Sequence, residues 1–197
     1  MKIRSFKCKQ TEQLYLGIST RHFCLIAKQA RRKLRMLDAA ESLVDLYALP
    51  SNHLGKLKGD RTGQYSIRIN SQWRICFKYA SSGIDEVEIV DYHRGNFMPK
   101  SLSLISPGEI LKKEFMGAYH LNMNTLAKAI HVPANRIHAI LRGQRSITAD
   151  TALRLARLFK TTPQFWLNLQ MIYDLECVQH TRGKYIERYI QPLKEAI

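Results

Sequence analysis

Polar and apolar positions alternate over Lys2–Lys7, Gln64–Ile69, Trp73–Tyr79 and Glu86–His93, the period of a strand with one buried face. Ser81-Ser82-Gly83 and Asn70-Ser71-Gln72 punctuate the last three as turns, which predicts an antiparallel meander. Between the first and second of these segments the period becomes helical. A short helical stretch covers Glu12–Leu16. A longer one covers Arg21–Ala40, with Phe23, Ile26, Ala27, Ala30, Leu34 and Leu37 three and four apart. Leu46–Asp60 carries Pro50, Gly55 and Gly59 and reads mostly as loop. Residues 94–104, with Gly95 and Pro99 and no sustained period, read as a linker.

Beyond the linker every signal is helical. Pro107-Gly108-Glu109 opens a helix with Ile110, Leu111 and Phe115, and Asn122 caps one around Thr125–Ile130. Val132-Pro133 starts another that Gly143 ends near Leu141. Thr148 caps Ala149–Phe159, with Leu153, Leu155, Ala156 and Phe159 expected inward. Thr162-Pro163 opens the last, with Phe165, Trp166, Leu169, Ile172 and Tyr173 at helical spacing. Residues 178–197 are basic and amphipathic, and Pro192 limits any helix there. The expected class is α+β: two helices on an antiparallel sheet over residues 1–93, then an all-α domain over 105–177 with an extension at 178–197.

Composition narrows the functional classes. The chain has 197 residues, 45% hydrophobic and 24% charged, which suits two small globular domains. No run approaches the ~18 apolar residues a membrane span needs, and the charged N-terminus lacks an apolar signal core, so a cytoplasmic chain is expected. The four cysteines, Cys8, Cys24, Cys76 and Cys177, form no C-x-x-C pair and read as free thiols; neither a metal site nor a cofactor is expected. The net charge of +15 is divided almost evenly, with 16 basic and 9 acidic residues in 1–93 and 15 and 7 in 94–197. Two basic halves suggest two polyanion-facing surfaces.

In the second half, Asn122–Leu141 has helix-turn-helix spacing. Ala127 is small where two helices cross, Val132 plugs the turn, and Ile137 with Ile140 or Leu141 holds the second helix to the core. Ala134, Asn135, Arg136, His138 and Ala139 are left to face a major groove, where Asn pairs with adenine edges and Arg with guanine edges. Arg142, Gln144 and Arg145 are placed for phosphates. Ile105–Leu111, Gly143–Ala156 and Pro163–Gln170 resemble HigA-type antitoxins of the VapI branch of the Xre/Cro helix-turn-helix family. That resemblance implies a dimeric repressor that binds operator DNA and neutralises a toxin. His131 stands where such proteins usually have Gly and must accept positive φ. Met123 stands where a phosphate-contacting Gln is common.

In the first half, Asp91 and His93 are two apart on a strand and share a face, with Tyr92 on the other. A His titrating near neutrality and a neighbouring Asp can move protons. Lys56, Lys58 and Arg61 on the loop, with Arg68 and Arg74 on strands, supply charge for a pentacovalent phosphate. Ala30–Ala40, Leu57–Arg61, Gly63–Asn70 and Gln72–Phe77 resemble HigB toxins of the RelE/ParE superfamily over residues 1–93. The resemblance implies metal-independent mRNA cleavage on the ribosome, with the family's terminal Asp-Tyr-His at Asp91, Tyr92 and His93. A further family His precedes the Leu-Lys-Gly-Asp motif. The nearest here is His53, two positions displaced.

The toxin-like half ends at His93-Arg94, and Met98-Pro99 looks like an antitoxin start, so toxin and antitoxin are read as fused. The expected partners are ribosome and mRNA for the first half, operator DNA for the second, and a second copy through the helix-turn-helix half. The eight residues Arg94–Ser101 span at most about 28 Å, so docking within one chain and docking between chains both stay open. Two other functional readings remain: a DNA-binding regulator carrying an inert toxin fold, and a ParE-like inhibitor of DNA gyrase.

Overall fold

The computed structural model describes residues 2–18, 20–80, 82–91 and 104–192. Tyr92, His93, Met98-Pro99 and all of the expected linker except Leu104 lie outside them.

In the first half, α1 (Lys9–Tyr15) and α2 (Ala27–Ala39) pack on a four-stranded antiparallel sheet. The strands β1 (Gly55–Lys56), β2 (Gln64–Arg68), β3 (Trp73–Ala80) and β4 (Gly83–Asp91) lie in sequence order. The β2–β3 turn is held by Asn70, whose Oδ1 accepts from the N–H groups of Gln72 and Trp73 at 2.9 and 2.8 Å. Ile67, Ile75, Phe77 and Val87 meet Leu14, Phe23, Leu34 and Leu37 in the core.

Three expectations change here. Lys2–Lys7 forms no full strand; Ile3 and Phe6 make isolated parallel bridges to Ile84 and Val87. The helix expected from Arg21 begins as a 3₁₀ turn at Arg21–Phe23 and becomes α only at Ala27. The stretch read mostly as loop, Leu46–Asp60, begins on the end of α3 (Leu43–Tyr47), a helix capped by the Ser42 hydroxyl that the sequence reading did not place, and contains the two-residue strand β1. Both elements are too short to leave a periodic signature.

The second half is helical throughout. Short α4 (Pro107–Ile110) runs into a π-helical turn at Leu111–Met116, followed by α5 (Met123–Ala129), α6 (Ala134–Leu141) and α7 (Ala149–Phe159). The last helix, α8 (Pro163–Tyr189), is 27 residues long and runs unbroken past residue 178, where the sequence reading began an extension. Asn122 and Thr125 form a reciprocal cap on α5, each backbone N–H meeting the other's side-chain oxygen at 2.9 Å. Phe115, Phe159, Phe165 and Trp166 form the aromatic centre, with ring centroids 4.6 to 6.0 Å apart. Gly108 lets α4 cross α6, since a Cβ there would lie 2.0 Å from the Ile140 carbonyl oxygen. Leu153, expected inward, is exposed, whereas Leu155, Ala156 and Phe159 are buried. Thr148 occupies the N-cap position of α7 without a capping hydrogen bond. No helix among the described residues is long and apolar enough to cross a membrane.

The halves dock against each other within the chain, chiefly through α2 and α8. Asp45 of α3 is buried and accepts from the Thr162 N–H at 2.6 Å and its hydroxyl at 3.0 Å. Thr162 is the N-cap of α8, so a carboxylate of the first half completes the start of the longest helix of the second. Asp45→Ala is expected to lose about 2 kcal/mol, the usual worth of hydrogen bonds to a buried charge. Urea denaturation of the full chain checks it, and a loss below ~0.5 kcal/mol would show that α8 caps itself.

Candidate functional sites

The strand register sorts the expected catalytic residues. Across the sheet Ser66, Cys76 and Glu88 are partners, and so are Arg68, Arg74 and Val90. Cross-strand partners point to one face. Arg74 Nε donates to the Ser66 hydroxyl at 3.0 Å and its Nη2 to the His53 carbonyl at 2.7 Å. Arg68 Nε is held by the Asn70 carbonyl at 2.9 Å. Arg61 reaches the same face from the loop and pairs with Glu88 at 2.8 Å, as does Lys7 at 3.1 Å. Burial pushes the Cys76 thiol above its usual value, with Arg61 and Arg74 pulling the other way. Lys56, Lys58 and the His53 side chain are exposed nearby. His53 sits in the left-handed region at φ 41°.

Asp91 is the exception. It pairs with Trp73, on the face that carries Ile75 and Ile89, and Gln72 Nε2 donates to its Oδ2 at 3.2 Å. The register therefore gathers Arg61, Arg68 and Arg74 and sets the Asp91 side chain on the opposite face. Glu88, which the sequence reading passed over, is an acid on the arginine face beside Arg61. Its placement two residues before Val90, in an alternating strand that also carries Asp91, was the available signal.

In the second half the helix-turn-helix forms as expected. Ala127, Ile137 and Ile140 are buried, and His131 in the turn has φ 53°. Ala134 and Asn135 are exposed at the start of α6, with Arg136, His138 and Ala139 half-buried beside them. Arg142, Gln144 and Arg145 are exposed beyond its end, where Gly143 turns the chain at φ 69°. Arg136 is ion-paired to Asp150 of α7 at 2.7 Å.

A third site lies between the halves. Along α2, Arg31, Lys33 and Arg35 are buried and Arg32 nearly so. Glu114 takes Lys33 Nζ at 2.7 Å and Arg32 Nε at 2.8 Å, and Glu109 takes Arg32 at 3.2 Å and Lys28 at 3.4 Å. Glu176 of α8 accepts from Arg31 at 3.3 Å and also from Arg35. Asn168 Nδ2 donates to the Ala39 carbonyl at 3.1 Å and to Glu41 at 2.9 Å. Burial alone would raise the Glu114 carboxyl, but the charge of Lys33 and the hydrogen bonds from Arg32 and Lys33 hold it below the usual glutamate range. These seam carboxylates were also missed. The signal was a helix whose cations recur among its apolar positions and so must find partners when buried.

Comparison with known proteins agrees with both halves. Residues 4–93 match the model of the RelE-like toxin HigB of type II toxin–antitoxin systems, and residues 112–166 match a helix-turn-helix model. Virulence-associated protein I of Dichelobacter nodosus is 50% identical over 78 residues, covering 40% of this chain and 72% of that protein. Antitoxin HigA-1 of Vibrio cholerae is 36% identical over 91 residues, covering 45% of this chain and 83% of the antitoxin. Toxin HigB-1 of the same organism is 36% identical over 92 residues, covering 45% of this chain and 95% of the toxin. A sheet with α1 and α2 in the first half and a helix-turn-helix in the second fit these relatives, and the chain belongs to the HigB toxin family and the HigA antitoxin family at once, joined as toxin then antitoxin in one polypeptide.

Proposed function

We propose that this chain is a self-neutralised toxin–antitoxin fusion whose first half is a latent ribosome-dependent mRNA endoribonuclease and whose second half silences it and represses transcription at an operator. The observation that carries the reading is the seam, where Glu109, Glu114 and Glu176 of the antitoxin half neutralise the cations of α2 in the same chain. The described polar contacts between the halves arise from α2, α3 and their adjoining turns. Arg68 and Arg74 on the arginine face are half-buried, and their hydrogen bonds go to groups of the first half. Silencing then works by bulk and by capture of α2, keeping the toxin half out of the ribosome rather than plugging its chemistry.

The chemistry proposed for the arginine face is transesterification. The 2′-oxygen forms a bond to the adjacent phosphorus as the bond to the 5′-oxygen breaks, leaving a 2′,3′-cyclic phosphate and a 5′-hydroxyl. Arg68, Arg74, Arg61, Lys56 and Lys58 stabilise the phosphorane charge. Tyr92 and His93, which follow β4 in the sequence, and His53 move the two protons, and Asp91 serves by orienting them from the other face. DNA reading falls to Ala134, Asn135, Arg136 and His138, with Arg142, Gln144 and Arg145 on phosphates. A second copy docks on the outer face of α8, where Met171, Leu175 and Val178 lie exposed and, with Ile147 and Leu167, line an apolar groove.

Three proteins test the reading in a translating extract with primer extension on the mRNA: the full chain, residues 1–93, and residues 1–93 with His93→Ala. Cleavage by the unmodified fragment alone is the expected result. No cleavage by any of them favours an inert toxin fold on a DNA-binding regulator, the reading that the position of Asp91 away from the arginines would suit.

A further inference from the structure

The recognition helix does not present Arg136 freely. Its Nη1 donates to Asp150 Oδ2 at 2.7 Å. The other oxygen of Asp150 accepts from Arg154 Nε at 2.9 Å. Arg154 Nη1 then reaches back to the carbonyls of Ile130 and His131 at 3.1 and 3.4 Å. Those two residues form the turn between α5 and α6, and His131 holds it in the left-handed region. The chain of contacts thus runs from the turn, through two residues of α7, to the first turn of α6.

Stability is a poor account of this arrangement. Arg136, Asp150 and Arg154 are 26%, 52% and 40% exposed, and ion pairs this wet contribute little. Asp150 in the first turn of α7 does complement the helix dipole, but that function needs no partner on α6. A carboxylate on the side of the motif that approaches DNA also repels phosphate. What the pair does is fix one long side chain. An arginine carries about 2 kcal/mol of rotamer entropy, which a held guanidinium need not lose on binding. Among the described residues only Asp150 hydrogen-bonds the Arg136 side chain. Its Nε and Nη2 remain as a two-donor edge, the pattern that matches guanine O6 and N7.

We propose that Asp150 and Arg154 are positioning residues that aim Arg136 at one base edge, so that discrimination at a single base pair depends on α7 residues that never touch it. This inference rests on the operator-reading proposal above, and its failure can be told apart from the failure of that proposal.

The test uses the full-length chain. Binding sites are selected from a randomised DNA duplex pool with the wild-type protein. The selected duplex, its single-base variants and an unrelated duplex are then titrated by fluorescence anisotropy with wild type, Arg136→Ala, Asp150→Asn, Asp150→Glu and the double variant Arg136→Ala/Asp150→Asn. Asp150→Asn is expected to cut discrimination at one G·C pair by about ten-fold, the same pair that Arg136→Ala relaxes. Affinity for the unrelated duplex should hold or rise. Asp150→Glu should restore part of the preference, and the double variant should be no less selective than Arg136→Ala alone. Unchanged melting temperatures exclude a folding cause. An unaltered base preference in Asp150→Asn, or relaxation at a different pair from Arg136→Ala, overturns the inference while operator reading stands. Failure of the wild type to select any sequence overturns both.

Discussion

Glu114→Ala is expected to destabilise the full chain by about 3–5 kcal/mol, the cost of removing one partner from a buried ion pair and leaving the other uncompensated. Glu114 is 6% exposed overall and holds Lys33 and Arg32 at 2.7 and 2.8 Å. After its removal Lys33 keeps Asn52 Oδ1 at 2.7 Å, and Arg32 keeps Glu109, which argues for the lower end of that range. The effect falls on the seam, so denaturation should become biphasic as the halves uncouple. Urea melts followed by tryptophan fluorescence report on both, since Trp73 lies in the first half and Trp166 in the second. Lys33→Met with Glu114→Leu should recover most of the loss, because a buried ion pair offers little over a well-packed apolar one. A loss below 1 kcal/mol for Glu114→Ala would show that the seam is held by its apolar contacts and the Asp45 cap instead.

The same carboxylate gives the seam an acid limit. Its pKa is depressed in the folded chain, so its contribution is complete above the unfolded value and is lost as pH falls through the folded one. Docking should therefore weaken only below the ordinary glutamate range. In Glu114→Gln that part of the pH dependence should disappear.

The second large effect concerns the proposed mRNA cleavage. In the liberated 1–93 fragment, Arg74→Ala is expected to lower mRNA cleavage by about 10²–10³-fold, the usual result of removing a fixed donor to developing oxyanion charge. Arg74 is held on both sides, by the Ser66 hydroxyl and the His53 carbonyl, so its guanidinium is presented rather than searching. Ser66→Ala should then give a smaller loss by releasing one of those holds. Circular dichroism of each fragment separates lost chemistry from lost fold. Full activity in Arg74→Ala would move the reacting phosphate away from this face.

Much of this was legible in the residues. The alternation of Gln64–Ile69 and Trp73–Tyr79, the Asn122 cap, the turn at Gly143 and the spacing of Ala127, Val132 and Ile137 each declare a local structure, because local periodicity and cap chemistry act within a few residues. They led to the sheet and the helix-turn-helix, with His131 at positive φ where the motif requires it. Short pieces were lost for the same reason. Leu43–Tyr47 and Gly55–Lys56 hold too few residues to show a period, and their formation depends on what covers them.

The pairings were decided elsewhere. The register that sets Arg68 beside Arg74 and Asp91 beside Trp73 depends on how three strands align, which alternation alone leaves open by a shift. The alliance of Arg31, Lys33 and Arg35 with Glu114 and Glu176 joins residues about 80 to 145 positions apart, and Asp45 meets Thr162 across 117. No local rule reaches that far. The sequence by itself determined the two families, the longer helices and strands and the sign of charge on each half. Only the tertiary structure decided which charges meet, because burial makes a cation seek a carboxylate wherever the packed chain brings one.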